Sequence, residues 1–346
     1  MIVAITGALC FSAATPASAA VVSAPLATGF AGPLSIAVGG DGNVYVGQSF
    51  SGVLTRVAPD GTRTDLFSAP GAGIEGVSVR GGKVTFTETV FPEEGPSTSG
   101  LLKRRFAGGF VKTLADLHAY EATSNPDQHQ TYGFRFLSDD CAAQLPAEIG
   151  PAKYTGLVDS HPYGTAVLPN GDTYVAEAGG NAILRVSDDG HISTVAVLPA
   201  IPFLVTAEAA GGLGLPECTI GKRYWYEPVP TDVEVGRDGS LYVTSLPGGP
   251  EDPSLGARGS VMRIDPQSGH VRTIAKGFLG ATNVAVSFGG KVFVAELFGG
   301  QVSTVSHGAA VPVAEIAEPA GLEWKQGKLF VSYDVFGAGA VATISP

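Results

Sequence analysis

PTDVEVGRDGSLYVTSL, residues 230–246, holds two short apolar runs separated by Gly-Arg-Asp-Gly. Alternating Val, Leu, Tyr and Thr on either side of an Asp-Gly turn is a hairpin signal. The same pattern recurs as PLSIAVGGDGNVYVGQS from Pro33, IEGVSVRGGKVTFTET from Ile74, PYGTAVLPNGDTYVAEA from Pro162, ATNVAVSFGGKVFVAEL from Ala281 and PAGLEWKQGKLFVSYD from Pro319. A third apolar run follows in each unit, such as SVMRID, and a fourth in most, such as HVRTIAK. Four strands per unit in six units predicts an all-β fold, a six-bladed β-propeller of four-stranded blades. The last unit ends after three strands, and residues 21–28 resemble a stray outer strand. The ring is therefore expected to close by the N-terminal strand completing the last blade, which would protect its edges.

The composition suits such a fold. Of 346 residues 44% are apolar, 15% are charged and 48 are glycine, so a large core and many turns are affordable. A net charge of -11 without basic clusters excludes nucleic acid as an expected partner. Residues 1–20 are small and apolar and end in Ala17-Ser18-Ala19, a cleavage pattern read as a secretory signal, although a positively charged start is missing. No later run is long enough to span a membrane, so residues 21–346 are expected to form one secreted, monomeric domain. In an oxidising compartment Cys141 and Cys218 are expected to pair.

Unit starts are spaced 41, 88, 68, 51 and 38 residues apart, so a unit of about 40 has been expanded. The insertions fall at 89–100, 118–161, 198–229 and 246–259, all in connections that emerge on one face of a propeller. Elaborated loops on one face of a rigid scaffold are where binding concentrates. The Cys pair would tie two of them together above the ring. Tyr224, Trp225 and Tyr226 form an aromatic cluster there, suited to stacking on a ligand or to packing the lid.

The first strand of each blade faces the central channel. One column along it reads Ser35, Gly76, Gly164, Asp232, Asn283 and Gly321; the next of the same parity places Glu234 and Glu323 there. Oxygen ligands of this kind suit a hard divalent cation, Ca or Mg, with Asp232 and Asn283 as metal ligands. A water-filled channel that merely solvates the acids is the competing reading. Where the second strand returns to the elaborated face the column is Gln48, Glu88, Glu177, Ser245, Glu296 and Tyr333. Those glutamates are candidate ligand-binding groups, or acceptors for backbone amides. Glu75 and Tyr163 stand at the head of the channel and join the ligand-binding candidates. His161, just before them, and Glu234 are the candidate proton carriers. No Ser-His-Asp set, reactive cysteine or nucleotide-binding loop has a fitting context.

TDVEVGRDGSLYVTSLPGGPEDPSLGARGSVMRIDPQSG (231–269), GATNVAVSFGGKVFVAELFGG (280–300), VDSHPYGTAVLPNGDTYVAEAGGNAILRV (158–186) and NPDQHQTYGF (125–134) resemble the ScyD/ScyE family of secreted six-bladed propellers, over nearly the whole mature chain. That resemblance implies the fold and secretion, and little chemistry. More remotely the chain is similar to NHL-repeat and gluconolactonase-like propellers, which implies a divalent metal at the channel top held by Glu, Asn and Asp. Asp232 and Asn283 match that set by position. The glutamate expected in the first blade is replaced by Leu34 and Ser35, with Glu75 in the second blade a displaced substitute. Two functions follow: a non-catalytic propeller binding a small molecule or an extracellular protein or glycan, and a metal-dependent hydrolase or lyase using channel carboxylates.

Overall fold

A computed structural model describes residues 20–93 and 95–345. The signal segment predicted at residues 1–20 lies almost wholly outside the described residues. The chain is all-β, built mainly from four-stranded antiparallel sheets. Each predicted hairpin forms, and its first strand is the edge of its sheet: β1 (Ser35–Val38), β2 (Gly73–Arg80), β3 (Pro162–Val167), β4 (Pro230–Val235), β5 (Ala281–Val286) and β6 (Leu322–Lys325). The turns behave as their residues require. Asp41, Asn170 and Asp238 each accept a hydrogen bond from the N–H two residues on, and Gly42, Gly171 and Gly239 follow with φ of 80°, 95° and 77°, where a side chain would be strained.

The first strands neighbour one another in the order β1, β2, β3, β4, β5, β6, and β6 also neighbours β1. Behind them the apolar core lies in wedges between successive sheets. Ile183 and Ala166 of one sheet meet Val233, Val243 and Met262 of the next, and Phe293 and Val302 meet Leu329 and Val331. Each such wholly buried aliphatic or aromatic side chain contributes about 1.5–3 kcal/mol. At the chain ends Val21–Val22 and Ala27–Thr28 pair antiparallel with the C-terminal strand Ala340–Ser345. Leu26 and Ala27 pack into the wedge around Phe30, Val46 and Val341, so the N-terminal segment is bonded into both the last sheet and the first core.

The two long insertions form a unit of their own. Thr131–Gly133 pairs with Lys153–Thr155 and with Arg223–Tyr226, which pairs in turn with Ile201–Leu204. This extra sheet encloses a small core of Phe134, Val205 and Ala210. Cys141 and Cys218 are disulfide-bonded, 77 residues apart in sequence with Cα atoms 6.0 Å apart. The bond joins the two insertions, as the sequence suggests. What the sequence did not disclose is that they share a sheet rather than forming separate loops, because its short strands have no counterpart in the repeat.

Candidate active or binding site at the channel mouth

Neighbouring first strands are not paired backbone to backbone, so their inward amides need other acceptors. The polar column supplies them. Ser35 Oγ accepts from Val77 N–H at 2.9 Å, Asp232 Oδ2 from Val284 N–H at 3.0 Å, and Asn283 Oδ1 from Leu322 N–H at 2.8 Å. In each case the side chain of one sheet caps the amide just after the same column in the next. Glycine fills the column where the strands come closest: a Cβ on Gly164 would stand 2.6 Å from Asp232 Cα, and one on Gly321 would stand 2.8 Å from Ile36 N.

Asp232 and Asn283, the proposed metal ligands, are thus engaged as interstrand stitches. Among the described residues no group of three or more His, Cys, Asp or Glu side chains is arranged to hold a metal ion.

Glu234 and Glu323, half-buried in the channel, stand within electrostatic reach of Asp232. Burial pushes Asp232 up to about 7, opposed by the amides it accepts from and reinforced by Glu323. Burial likewise raises Glu323 to about 7, with Lys325 opposing. Glu234 is raised well above the carboxylate range by burial, then by Glu323 and Asp232. The three acids form a coupled group that holds protons near neutrality.

The glutamate column resolves differently at each sheet. Glu296 Oε2 accepts from Leu279 N–H at 2.7 Å, while its Oε1 accepts from Gln301 at 2.8 Å and from the Ser303 hydroxyl. Gln48 does the equivalent job, accepting from Ala31 N–H at 2.9 Å. Glu88 is ion-paired with Lys103 at 2.6 Å. Glu177 accepts from Gly180 N–H and is fully buried. Gln48, Glu177 and Glu296 thus accept from backbone amides, whereas Glu88 takes the Lys103 ammonium.

His161, Glu75 and Tyr163 are brought together at the mouth. His161 Nε2 and Glu75 Oε2 are 2.9 Å apart, with the imidazole about a quarter exposed at 26% and the carboxylate at 6%. Phe91 and Tyr163 both meet the imidazole edge-on, with ring centroids at 4.7 and 5.2 Å. Burial lowers the His161 pKa, but the Glu75 carboxylate outweighs it and the net shift is upward. A histidine oriented by a carboxylate and open on one side can carry a proton or grip a polar ligand. Its hydrogen-bond partner is Glu75, and no bond links it to Glu234.

Glu251 of the 246–259 loop lies within electrostatic reach of Tyr163. Gly248, Gly249 and Pro250 of that loop help line a cavity of about 240 Å³ whose other walls include Tyr154, Tyr224 and Tyr226. Tyr224 and Tyr226 have ring centroids 4.5 Å apart, and Arg258 lies 4.7 Å from the Tyr226 centroid. Glu227, at the cavity wall, has its carboxyl raised by burial, with neighbouring Tyr154 opposing. Sequence reasoning reached the aromatic cluster but missed Glu227 and Tyr154, which the shared lid sheet brings in. It also placed Glu323 in the right column without nominating it as part of the site.

No family model matches the chain, and no curated protein matches it either. Its fold is found among solved structures. A catalytically inactive virginiamycin B lyase from Staphylococcus aureus with quinupristin is 18% identical, with a TM-score of 0.54 over 94% of this chain and 99% of that one. The PQQ-bound aldose sugar dehydrogenase of Streptomyces coelicolor is 14% identical, with a TM-score of 0.56 over 95% and 99%. A gluconolactonase from Xanthomonas campestris is 13% identical, with a TM-score of 0.54 over 92% and 88%. At such identities the likeness establishes the propeller fold alone.

Proposed function

We propose that the chain is a secreted six-bladed propeller of ScyD/ScyE type, its ring completed by the N-terminal strand, which binds a small molecule at the lidded mouth of its channel. The observation that carries this reading is the His161–Glu75 pair, walled by Phe91 and Tyr163. A partly exposed imidazole held by a buried carboxylate in an aromatic frame offers one polar contact amid apolar surface, the usual economy of a ligand site. The disulfide favours an oxidising compartment. The propellers of like fold named above were solved with PQQ or quinupristin, and others are gluconolactonases, so small carbonyl compounds, cyclic depsipeptides and quinones are the first ligands to test. Thermal-shift and ligand-observed NMR against that panel should find a binder whose signal is lost in His161→Ala and kept in Asp265→Asn, an exposed acid far along the chain. No binder, or equal binding by His161→Ala, would sink the reading.

The same pair favours a second reading, a hydrolase or lyase in which His161 moves a proton and Glu75 holds its ring. Turnover of a lactone or depsipeptide that vanishes in His161→Ala but survives Glu234→Gln would select it over simple binding.

A further inference from the structure

Glu121, on the helix Leu117–Ser124 that opens the first long insertion, is 1% exposed, and neither of its carboxylate oxygens has a hydrogen-bond partner. Glu177 is wholly buried and its Oε1 is also unpartnered, as is the Ser160 hydroxyl. Asp127, 1% exposed, gives Oδ2 to Tyr132 at 2.8 Å and Asn181 at 2.9 Å and leaves Oδ1 unpartnered. Among the described residues no Lys or Arg is paired with any of the three. Four orphaned oxygens on three buried acids are too costly to leave uncompensated.

The comparison with the other sheets sharpens this. Gln48 and Glu296, at the position of Glu177 in their sheets, have every side-chain oxygen bonded, each to the amide of its own incoming connection. Glu177 takes the Gly180 amide on Oε2, leaves Oε1 without a partner, and lies within electrostatic reach of Glu121. Both glutamates reach the bare Cα of Gly180: a Cβ there would lie 2.6 Å from Glu121 Oε2 and 3.0 Å from Glu177 Oε2. The missing side chain lets oxygens of both glutamates converge on one small space beside Gly180.

We propose that this space is a site for a single calcium-class cation, liganded by Glu121 and Glu177 and neutralising Asp127, which clamps the lid insertion to the propeller. Two carboxylates suffice when backbone carbonyls and water complete the shell, as hard cations with six to eight oxygen ligands allow. The site is separate from the channel acids and adjoins His161, which lies within electrostatic reach of Glu177, but it does not depend on the function proposed above.

The test uses the full mature protein, stripped with EDTA and titrated with CaCl2, MgCl2 and KCl while Tm is followed, with calorimetry for stoichiometry. Calcium should raise Tm by at least about 3 °C, saturating at one ion per chain, and Glu121→Gln should abolish the rise. Glu177→Gln serves as the second variant should the first misfold, and Asp265→Asn should respond like wild type. No calcium-dependent rise and no heat of binding in the wild-type protein, or an undiminished rise in Glu121→Gln, would overturn the proposal and leave protons as the compensating charge.

Discussion

Neutralising Glu234 is expected to stabilise the protein in alkali and to leave it nearly unchanged in mild acid. Asp232, Glu234 and Glu323 all have folded pKa values raised above their unfolded ones. Acids shifted in that direction bind more protons folded than unfolded, so their favourable contribution is complete below about pH 4 and is lost as pH rises through about 7. Asp232 moves from 3.8 to about 7 and Glu323 from 4.5 to about 7. At 1.36 kcal/mol per unit those shifts set ceilings of roughly 4 and 3 kcal/mol for ionising each in the fold. Because the three acids are mutually coupled, removing one charge should recover only part of this, on the order of 1–3 kcal/mol. Glu234→Gln should therefore raise Tm by a few degrees at pH 8.5 and by much less at pH 5.5, where all three acids are largely protonated. Urea unfolding at the two pH values would measure the same difference as free energy. An equal change at both pH values would refute the coupling. A loss of stability at pH 8.5 would mean that ionised Glu234 makes a favourable contact in the fold, and would refute the sign of the argument.

Three further outcomes follow from contacts already described. Replacing Cys141 and Cys218 together by Ser opens a loop of 77 residues, for which chain entropy assigns up to about 4.5 kcal/mol, so the lids of the double variant should be cut by protease well before the propeller is. Glu296→Ala strands the Leu279 amide and the Ser303 hydroxyl in a buried setting and should cost about 3 kcal/mol in denaturant unfolding, whereas Glu296→Gln should cost less than half of that. In Glu75→Gln the charge that outweighs burial at His161 is gone, so an NMR titration should show the imidazole pKa falling, and an unmoved value would refute the pairing.

The sheets were legible because a hairpin turn is a local event. Asp41-Gly42, Asn170-Gly171 and Asp238-Gly239 announce themselves within four residues, and each is a turn in the structure. The Cys141–Cys218 bond was legible from the compartment argument and from the positions of both residues in expansions. The lid sheet was not, because its strands run only three or four residues and pair across the third blade, from Gly133 to Trp225. Glu121 was invisible for a related reason: it sits on a short helix in an insertion, outside every column that the repeat aligns. Periodicity finds what the repeat positions and is blind to what insertions bring back to it.

Asp232 of β4 and Asn283 of β5 occupy equivalent positions in neighbouring sheets. Both cap the next sheet's amide with one oxygen, at 3.0 and 2.8 Å. Asn283 does this without charge, and Ser35 does it with a hydroxyl at 2.9 Å, so the stitch alone does not call for a carboxylate at 232. Nor does packing, since a Cβ on Gly164 would already crowd Asp232, and the column there has no space to spare. What distinguishes Asp232 from Asn283 is its electrostatic coupling to Glu234, two residues on along β4, and to Glu323 of β6. The acid at 232 therefore carries two separable properties, an acceptor that any amide could supply and a titratable charge that only its channel neighbours use. A role for the channel beyond architecture must rest on that second property, and its consequences are confined to the pH range in which the three acids exchange their protons.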